Sequence, residues 1–355
     1  MTPKPTLVIG ANGFLGSHVT RQLVTGGAAV RVMVRPGANT VGIDDLQVTR
    51  FLGDIFDTVT LREAMDGCDV VYYCVVDTRA WLRDPAPLFH TNVEGLRGVL
   101  DVAKDAGLKR FVFTSSYATV GRRRRHRATE DDIIDPRGLS NYVRSRVQAE
   151  EMVLRYAAEM GLPAVAMCVS STYGTGDWGQ TPHGAIIAGA AFGKLPFVMS
   201  GIALEAVGVQ DAARAMILAA EHGRNGERYL ISEKMITNAE VARIAADEAG
   251  VPPPGRSIPL PVTYALGALG NLKARLQGTD ERLTLESVRL MRAEAEVDHS
   301  KASRELGWDP SPVEESIRAA ARFWVALRAA KRKARAGAAP VATERAGAAP
   351  VAQQD

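Results

Sequence analysis

A phenol and a cation that could act together stand at Tyr142 and Arg146, in the stretch N-Y-V-R-S-R-V-Q-A-E-E that begins at Asn141. Its pattern predicts the opening of a long helix, on which positions i and i+4 share a face, so a phenol and a guanidinium can reach one ligand. Tyrosine ionises near pH 10, and neighbouring positive charge is what lets one exchange a proton near neutrality. Upstream, R-F-V-F-T-S-S from Arg110 to Ser116 reads as a buried strand that ends in hydroxyl side chains. In a doubly wound sheet the carboxyl end of a strand is where ligands bind.

Such residues need a scaffold, and residues 6–35 supply its start. Thr6 to Ile9 form a β-branched strand, Gly10, Gly13 and Gly16 follow at once, and a helix opens on the last of them. The first glycine permits the turn, the second admits a pyrophosphate close to the backbone, and the third lets helix pack on strand. Free amides at the helix start attract the anion, so the implied ligand is a dinucleotide. At the end of the second strand, Val30 to Val34, no carboxylate stands ready for a ribose 2′-hydroxyl; Arg35 stands there instead. An arginine can pair a 2′-phosphate, which favours NADP(H) over NAD(H) unless Arg35 is simply a solvated loop residue.

The spacing G-x-x-G-x-x-G, with Asn12, Phe14 and Leu15 between the glycines, resembles the short-chain dehydrogenase/reductase superfamily in its extended, epimerase-like branch. The resemblance covers about residues 5–327 and implies an α/β fold: a Rossmann-type doubly wound parallel sheet with a smaller, mostly helical C-terminal substrate lobe. It assigns cofactor contacts to Gly10, Asn12, Gly13, Phe14, Leu15 and Gly16, and an adenine contact to Asp54 beside Ile55. By the same resemblance Ser116 is the catalytic hydroxyl, with Ser115 the neighbouring alternative, and Tyr142 the acid–base residue. Arg146 stands where the family has lysine. Asn92, in H-T-N-V-E-G, would support the active site from inside its helix; the rival reading is a buried asparagine used only structurally. The segment D-T-R-A-W-L-R-D-P from Asp77 resembles hopanoid-associated and dihydroflavonol-reductase-like members. Val169 and Thr175 stand where the family has prolines, and only Asp211 remains of the polar set in its V-H-V-D-D-V-A segment.

Strands and helices alternate along the first half, which places a dinucleotide-binding core at residues 1–170. Residues 171–327 form the substrate lobe with the last sheet strands interleaved. Residues 328–355 read as a basic low-complexity tail, since R-A-G-A-A-P-V-A occurs twice within it. The 355 residues are 46% apolar and 23% charged, an ordinary globular composition, and a net charge of +3 gives no case for nucleic acid. Three scattered cysteines suggest neither a disulfide framework nor a metal site. A strand begins within a few residues of Met1, so no signal peptide is expected, and a cytoplasmic protein is.

The basic runs 122–127 and 328–335 are either solvated surface or sites for anions. The second, with the apolar stretch Val262 to Leu272, suggests a peripheral membrane contact; a homodimer is a further expectation. Trp81, Trp178, Phe192, Phe197 and Met199 suggest an apolar cleft wall suited to a steroid-, terpenoid- or acyl-like small molecule. The function expected is an NADP(H)-dependent ketoreductase or alcohol dehydrogenase. The alternatives are an NAD(P)-dependent sugar-nucleotide epimerase or dehydratase, and a catalytically weak NADP(H)-binding sensor or scaffold.

Overall fold

The computed structural model describes residues 4–121, 126–291 and 296–337. Its first half alternates as expected: β1 (Thr6–Ile9), α1 (Phe14–Thr25), β2 (Val30–Val34), β3 (Thr49–Leu52), α2 (Thr58–Met65) and β4 (Val70–Tyr73). The next helix comes in three pieces, α3 (Ala86–Phe89), a π-helical turn at His90–Gly95, and α4 (Leu96–Ala103). Then follow β5 (Arg110–Ser116), α5 (Asn141–Met160), β6 (Ala164–Val169), β7 (Ser171–Tyr173), α6 (Pro182–Ala191), β8 (Val198–Met199) and β9 (Ala203–Gly208). The chain continues through α7 (Val209–His222), β10 (Arg228–Ile231), β11 (Lys234–Thr237), α8 (Asn238–Glu248), β12 (Ser257–Ile258), α9 (Leu260–Gln277), α10 (Leu285–Met291), α11 (Ser300–Leu306) and α12 (Val313–Gly337).

Seven strands form one parallel sheet in the order β10-β6-β5-β4-β1-β2-β3. The order reverses direction beside β1, which makes the crevice at its carboxyl end the ligand site of a doubly wound sheet. All six residues of β6 are buried, the continuous apolar run of a strand covered on both faces. One core layer packs Leu61, Leu96, Val99 and Val153 on one face of the sheet, and the other packs Val19, Ala212, Met216 and Trp308 on the opposite face.

The lobe has its own core, built by Ile187, Val241, Ile244, Ile317 and Trp324, beside the small sheet β11-β9-β7. Helix α8 opens on a capping box in which Thr237 accepts from the Glu240 amide and Glu240 accepts in return from the Thr237 amide. Helix α12 runs on through Gly337, past the point where a low-complexity tail was expected to begin. Residues 328–337 are mostly Ala, Lys and Arg, all strong helix formers, and the helix simply continues. The repeat beyond residue 337 and the run Arg122–Arg125 lie outside the described residues.

Candidate functional site

The glycine turn is dictated by contact. Gly10 has a φ of +84°, and a Cβ on Gly16 would fall 2.2 Å from the Gly10 carbonyl oxygen, so neither position admits a side chain. The Gly13 amide donates to the Gly10 carbonyl at 3.0 Å, and α1 begins at Phe14 with no side-chain cap. The first amides of α1, at Phe14, Leu15 and Gly16, therefore have no acceptor within the helix. Arg35 follows β2 directly and is exposed; among the described residues its guanidinium makes no hydrogen bond or ion pair. Asp54 already accepts from the Phe56 amide at 3.2 Å, and Ile55 beside it is buried.

Asn92 lies in the π-helical turn, 1% exposed. Its Oδ1 accepts from the Asp77 amide at 2.7 Å, and its Nδ2 donates to the Asp77 carbonyl at 2.9 Å and to Ser145 Oγ at 3.1 Å. The side chain thus ties three segments together: its own helix, the loop after β4, and α5. The bulged turn aims it there, a common use of π-helical turns near functional sites. Asp77 in turn grips Arg79; burial opposes its charge, but the Arg79 hydrogen bonds prevail and lower its pKa.

Helix α5 is set in place from its first residue. Ser140 caps it, accepting from the Val143 amide at 3.2 Å, and Glu286 of α10 accepts from the Asn141 amide. Tyr142 is half-buried, and its hydroxyl has no hydrogen bond among the described residues. One turn on, Arg146 is 1% exposed. Its Nη2 donates to the Thr114 carbonyl and its guanidinium carbon lies 5.0 Å from the centroid of the Phe113 ring. Its Nε and Nη1 are buried with no partner.

Two further buried oxygens lack partners at the same edge, Tyr73 OH at the end of β4 and Ser170 Oγ just beyond β6. Burial pushes the Tyr73 phenol pKa up, so that hydroxyl stays protonated. Strands β4, β5 and β6 are neighbours in the sheet, so these orphan polar atoms gather at adjoining carboxyl ends. Buried polar groups are ordinarily satisfied, and these four atoms have donors and acceptors to offer to hydroxyl and carbonyl groups or to water.

The two serines at the end of β5 part company. Ser115 Oγ donates to Glu150, which is 3% exposed and also accepts from Thr119 Oγ1 at 2.8 Å and pairs with Arg228 at 2.9 Å. Ser116 Oγ only accepts, from the Ala118 amide at 3.2 Å, and keeps its own proton available. Sequence reading missed Glu150, Arg228, Tyr73 and Ser170. Glu150 left a signal, since it is a lone carboxylate on the apolar side of α5 among Ala149, Met152 and Val153. The expected aromatic wall finds separate partners: Trp178 packs edge-on to Phe323 at 4.9 Å, Trp81 faces Arg282, and Phe192 carries Arg328. Asp211 holds the Ser311 amide at 3.1 Å and pairs with Arg214, so it serves the packing of α7.

A parallel doubly wound sheet, a glycine turn feeding a helix, and a tyrosine and cation one turn apart at the sheet's carboxyl edge define a nicotinamide-dependent oxidoreductase or epimerase of the extended short-chain kind. Comparison with known proteins makes this specific. Residues 6–232 match the NAD dependent epimerase/dehydratase family, and the chain belongs to it. It is 29% identical over 309 residues to sterol demethylase protein B of Methylococcus capsulatus, covering 86% of this chain and 94% of that protein. It is 28% identical over 309 residues to the 4-hydroxy-2-methyl-3-oxo-4-farnesyl-3,4-dihydroquinoline-1-oxide ketoreductase of Stigmatella aurantiaca, covering 85% and 91%. Among solved structures, gox2253 superposes with a TM-score of 0.81 at 31% identity, over 91% of this chain and 98% of that one. No described helix is long and apolar enough to cross a membrane.

The residues fit a nicotinamide dinucleotide. Gly16 lets α1 pack against the turn at Gly10, the first amides of α1 have no acceptor within the helix and so suit an anion, and the unpartnered donors of Arg146 suit hydroxyl or carboxamide oxygens.

Proposed function

We propose that this chain is an NADP(H)-dependent oxidoreductase acting on a ketone or secondary alcohol of an apolar substrate. The observation that carries the reading is the α5 pair: a half-buried Tyr142 with an uncommitted hydroxyl, one turn before a buried Arg146 that keeps two donors free. When bound, the cofactor supplies or takes the hydride. In the reducing direction Ser116 donates a hydrogen bond to the carbonyl oxygen, and Tyr142 gives that oxygen its proton as the alcohol forms. Arg146 holds cofactor hydroxyls through Nε and Nη1 and keeps positive charge beside the tyrosine. Asn92 fixes the backbone under Tyr142 through Ser145, whose hydroxyl donates to the Tyr142 carbonyl at 2.8 Å. Arg35 selects the 2′-phosphate. The apolar substrate class is supported by relatives whose names describe a sterol demethylase and a farnesyl-quinoline ketoreductase.

A second reading, a weakly catalytic NADP(H)-binding protein, is favoured by Arg146 itself, because a guanidinium cannot lose a proton near neutrality and so cannot relay one. One experiment separates the two: NADPH oxidation followed over a panel of steroid, prenyl and acyl ketones, with Tyr142→Phe beside the unaltered protein. Turnover that falls at least about a hundredfold in Tyr142→Phe, with NADPH affinity unchanged, supports catalysis; a loss of that size is typical for removing an acid–base group. NADPH binding without turnover on any ketone supports the second reading. Full activity in Tyr142→Phe places the acid–base group elsewhere.

A further inference from the structure

Helix α9 presents one face that nothing in the described structure covers. Val262, Ala265, Leu269, Leu272 and Leu276 recur at alternating steps of three and four, so they form a single stripe along the helix. The four large side chains are 47%, 60%, 53% and 79% exposed. The other side of the helix is spoken for: Thr263, Gly267 and Ala274 are buried, and Asn271 Oδ1 accepts from the Leu285 amide at 3.2 Å at the start of α10. The stripe is therefore a deliberate outer face, because soluble surfaces rarely line up apolar side chains in this way.

The charges around it choose the occupant. Residues 260–277 contain no aspartate or glutamate. The two carboxylates that follow are already engaged, Asp280 by the Arg83 amide at 3.0 Å and Glu281 by Lys273 at 2.6 Å. Arg256 before the helix and Arg275 in its last turn are exposed and make no ion pair among the described residues. An apolar stripe with unpaired cations at both ends matches an anionic bilayer surface, into which such a helix lies lengthwise. The α9 stripe of a second copy would offer these cations no carboxylate, since residues 260–277 contain none.

We propose that α9 is a membrane-docking helix that holds the protein on anionic phospholipid through Val262, Leu269, Leu272 and Leu276, with Arg256 and Arg275 at its ends. The docking stands on this surface alone and does not depend on the reaction proposed above. The test is co-sedimentation of the full-length protein with vesicles of phosphatidylcholine, with and without about a third phosphatidylglycerol. The expected result is binding to the anionic vesicles about tenfold stronger than to the neutral ones and weakened by salt. Leu269→Gln/Leu272→Gln/Leu276→Gln should lose that binding while keeping the melting temperature and NADPH binding of the parent; Arg256→Ala/Arg275→Ala should lose the preference for anionic lipid. The proposal is overturned if neither vesicle binds, or if the triple variant sediments like the parent. It is equally overturned if light scattering shows a dimer that the triple variant converts to monomer.

Discussion

Replacing Arg146 with methionine should move two properties in opposite directions. In the chain alone the guanidinium is buried with Nε and Nη1 unpartnered, and each unsatisfied buried donor costs about 1–3 kcal/mol. Methionine of similar length removes both penalties. It also removes the hydrogen bond to the Thr114 carbonyl, about 1–2 kcal/mol, and the contact with the Phe113 ring, about 0.5–2 kcal/mol. Taken at mid-range, about 4 kcal/mol of relieved penalty against about 3 kcal/mol of lost contacts leaves a gain of roughly 1 kcal/mol, so without cofactor the melting temperature should stay level or rise by a few degrees. With cofactor the sign reverses. Two charge-assisted hydrogen bonds at about 1.5 kcal/mol each are lost, so NADPH should bind about a hundredfold more weakly. Differential scanning fluorimetry with and without NADPH reads both effects in one series. A fall of several degrees in the apo melting temperature, or unchanged NADPH affinity, would refute the idea that this guanidinium is held in reserve for the ligand.

Arg35→Ala should cost NADPH about ten- to a hundredfold in affinity and leave NADH unchanged, by fluorescence titration; equal affinities in the unaltered protein would remove the 2′-phosphate role. Asn92→Ala strands the Asp77 amide and carbonyl in the interior and should lower unfolding stability by about 2–4 kcal/mol in urea, together with turnover. Asn92→Ala that melts like the parent would show the bracket to be idle. His183, beside the Tyr173 ring at 5.6 Å, has its pKa pushed down to about 4 by burial. A histidine whose folded pKa lies below its unfolded value contributes stability that is full above pH 6.5 and lost as the pH falls toward 4, since the unfolded chain then binds the proton more readily. Between pH 7.5 and 5 this loss approaches about 2 kcal/mol, and His183→Phe should show correspondingly less decline in melting temperature.

The parts of the site legible in the sequence were those fixed by local sterics. Gly10 and Gly16 are required by a positive φ and a backbone contact, so their spacing carries the turn with it. The strand limits at Arg110–Ser116 and the helix start at Asn141 follow from period and capping by Ser140. What stayed hidden depends on partners far away in the chain. The π-helical turn at His90–Gly95 is set by where Asn92 must reach, which no local pattern encodes. Glu150 could be seen as odd on an apolar face, but Arg228 lies 78 residues on and is brought to it only by the β10–β6 pairing. Trp178 follows β6 and β7 as expected, yet packs on Phe323 of α12, a contact decided by lobe packing.

Under the function proposed above, that distant pair also accounts for an arginine at position 146. Glu150 stands one turn after Arg146 on α5, and a glutamate and an arginine four apart on a helix would ordinarily pair. Here Glu150 is engaged by Arg228 and by the hydroxyls of Ser115 and Thr119, all on its inner side. A cation already matched to a carboxylate does little for a neighbouring phenol or for an anionic ligand, because its field is cancelled at short range. With Glu150 satisfied elsewhere, Arg146 has no carboxylate partner among the described residues and keeps its charge beside the end of β5. The same pair pins the middle of α5, while Ser140 and Glu286 hold its start, so the turn that carries Tyr142 and Arg146 is positioned from both sides. On the proposed function the Glu150–Arg228 bridge thus belongs to the electrostatics of the site, because it leaves Arg146 without a competing carboxylate.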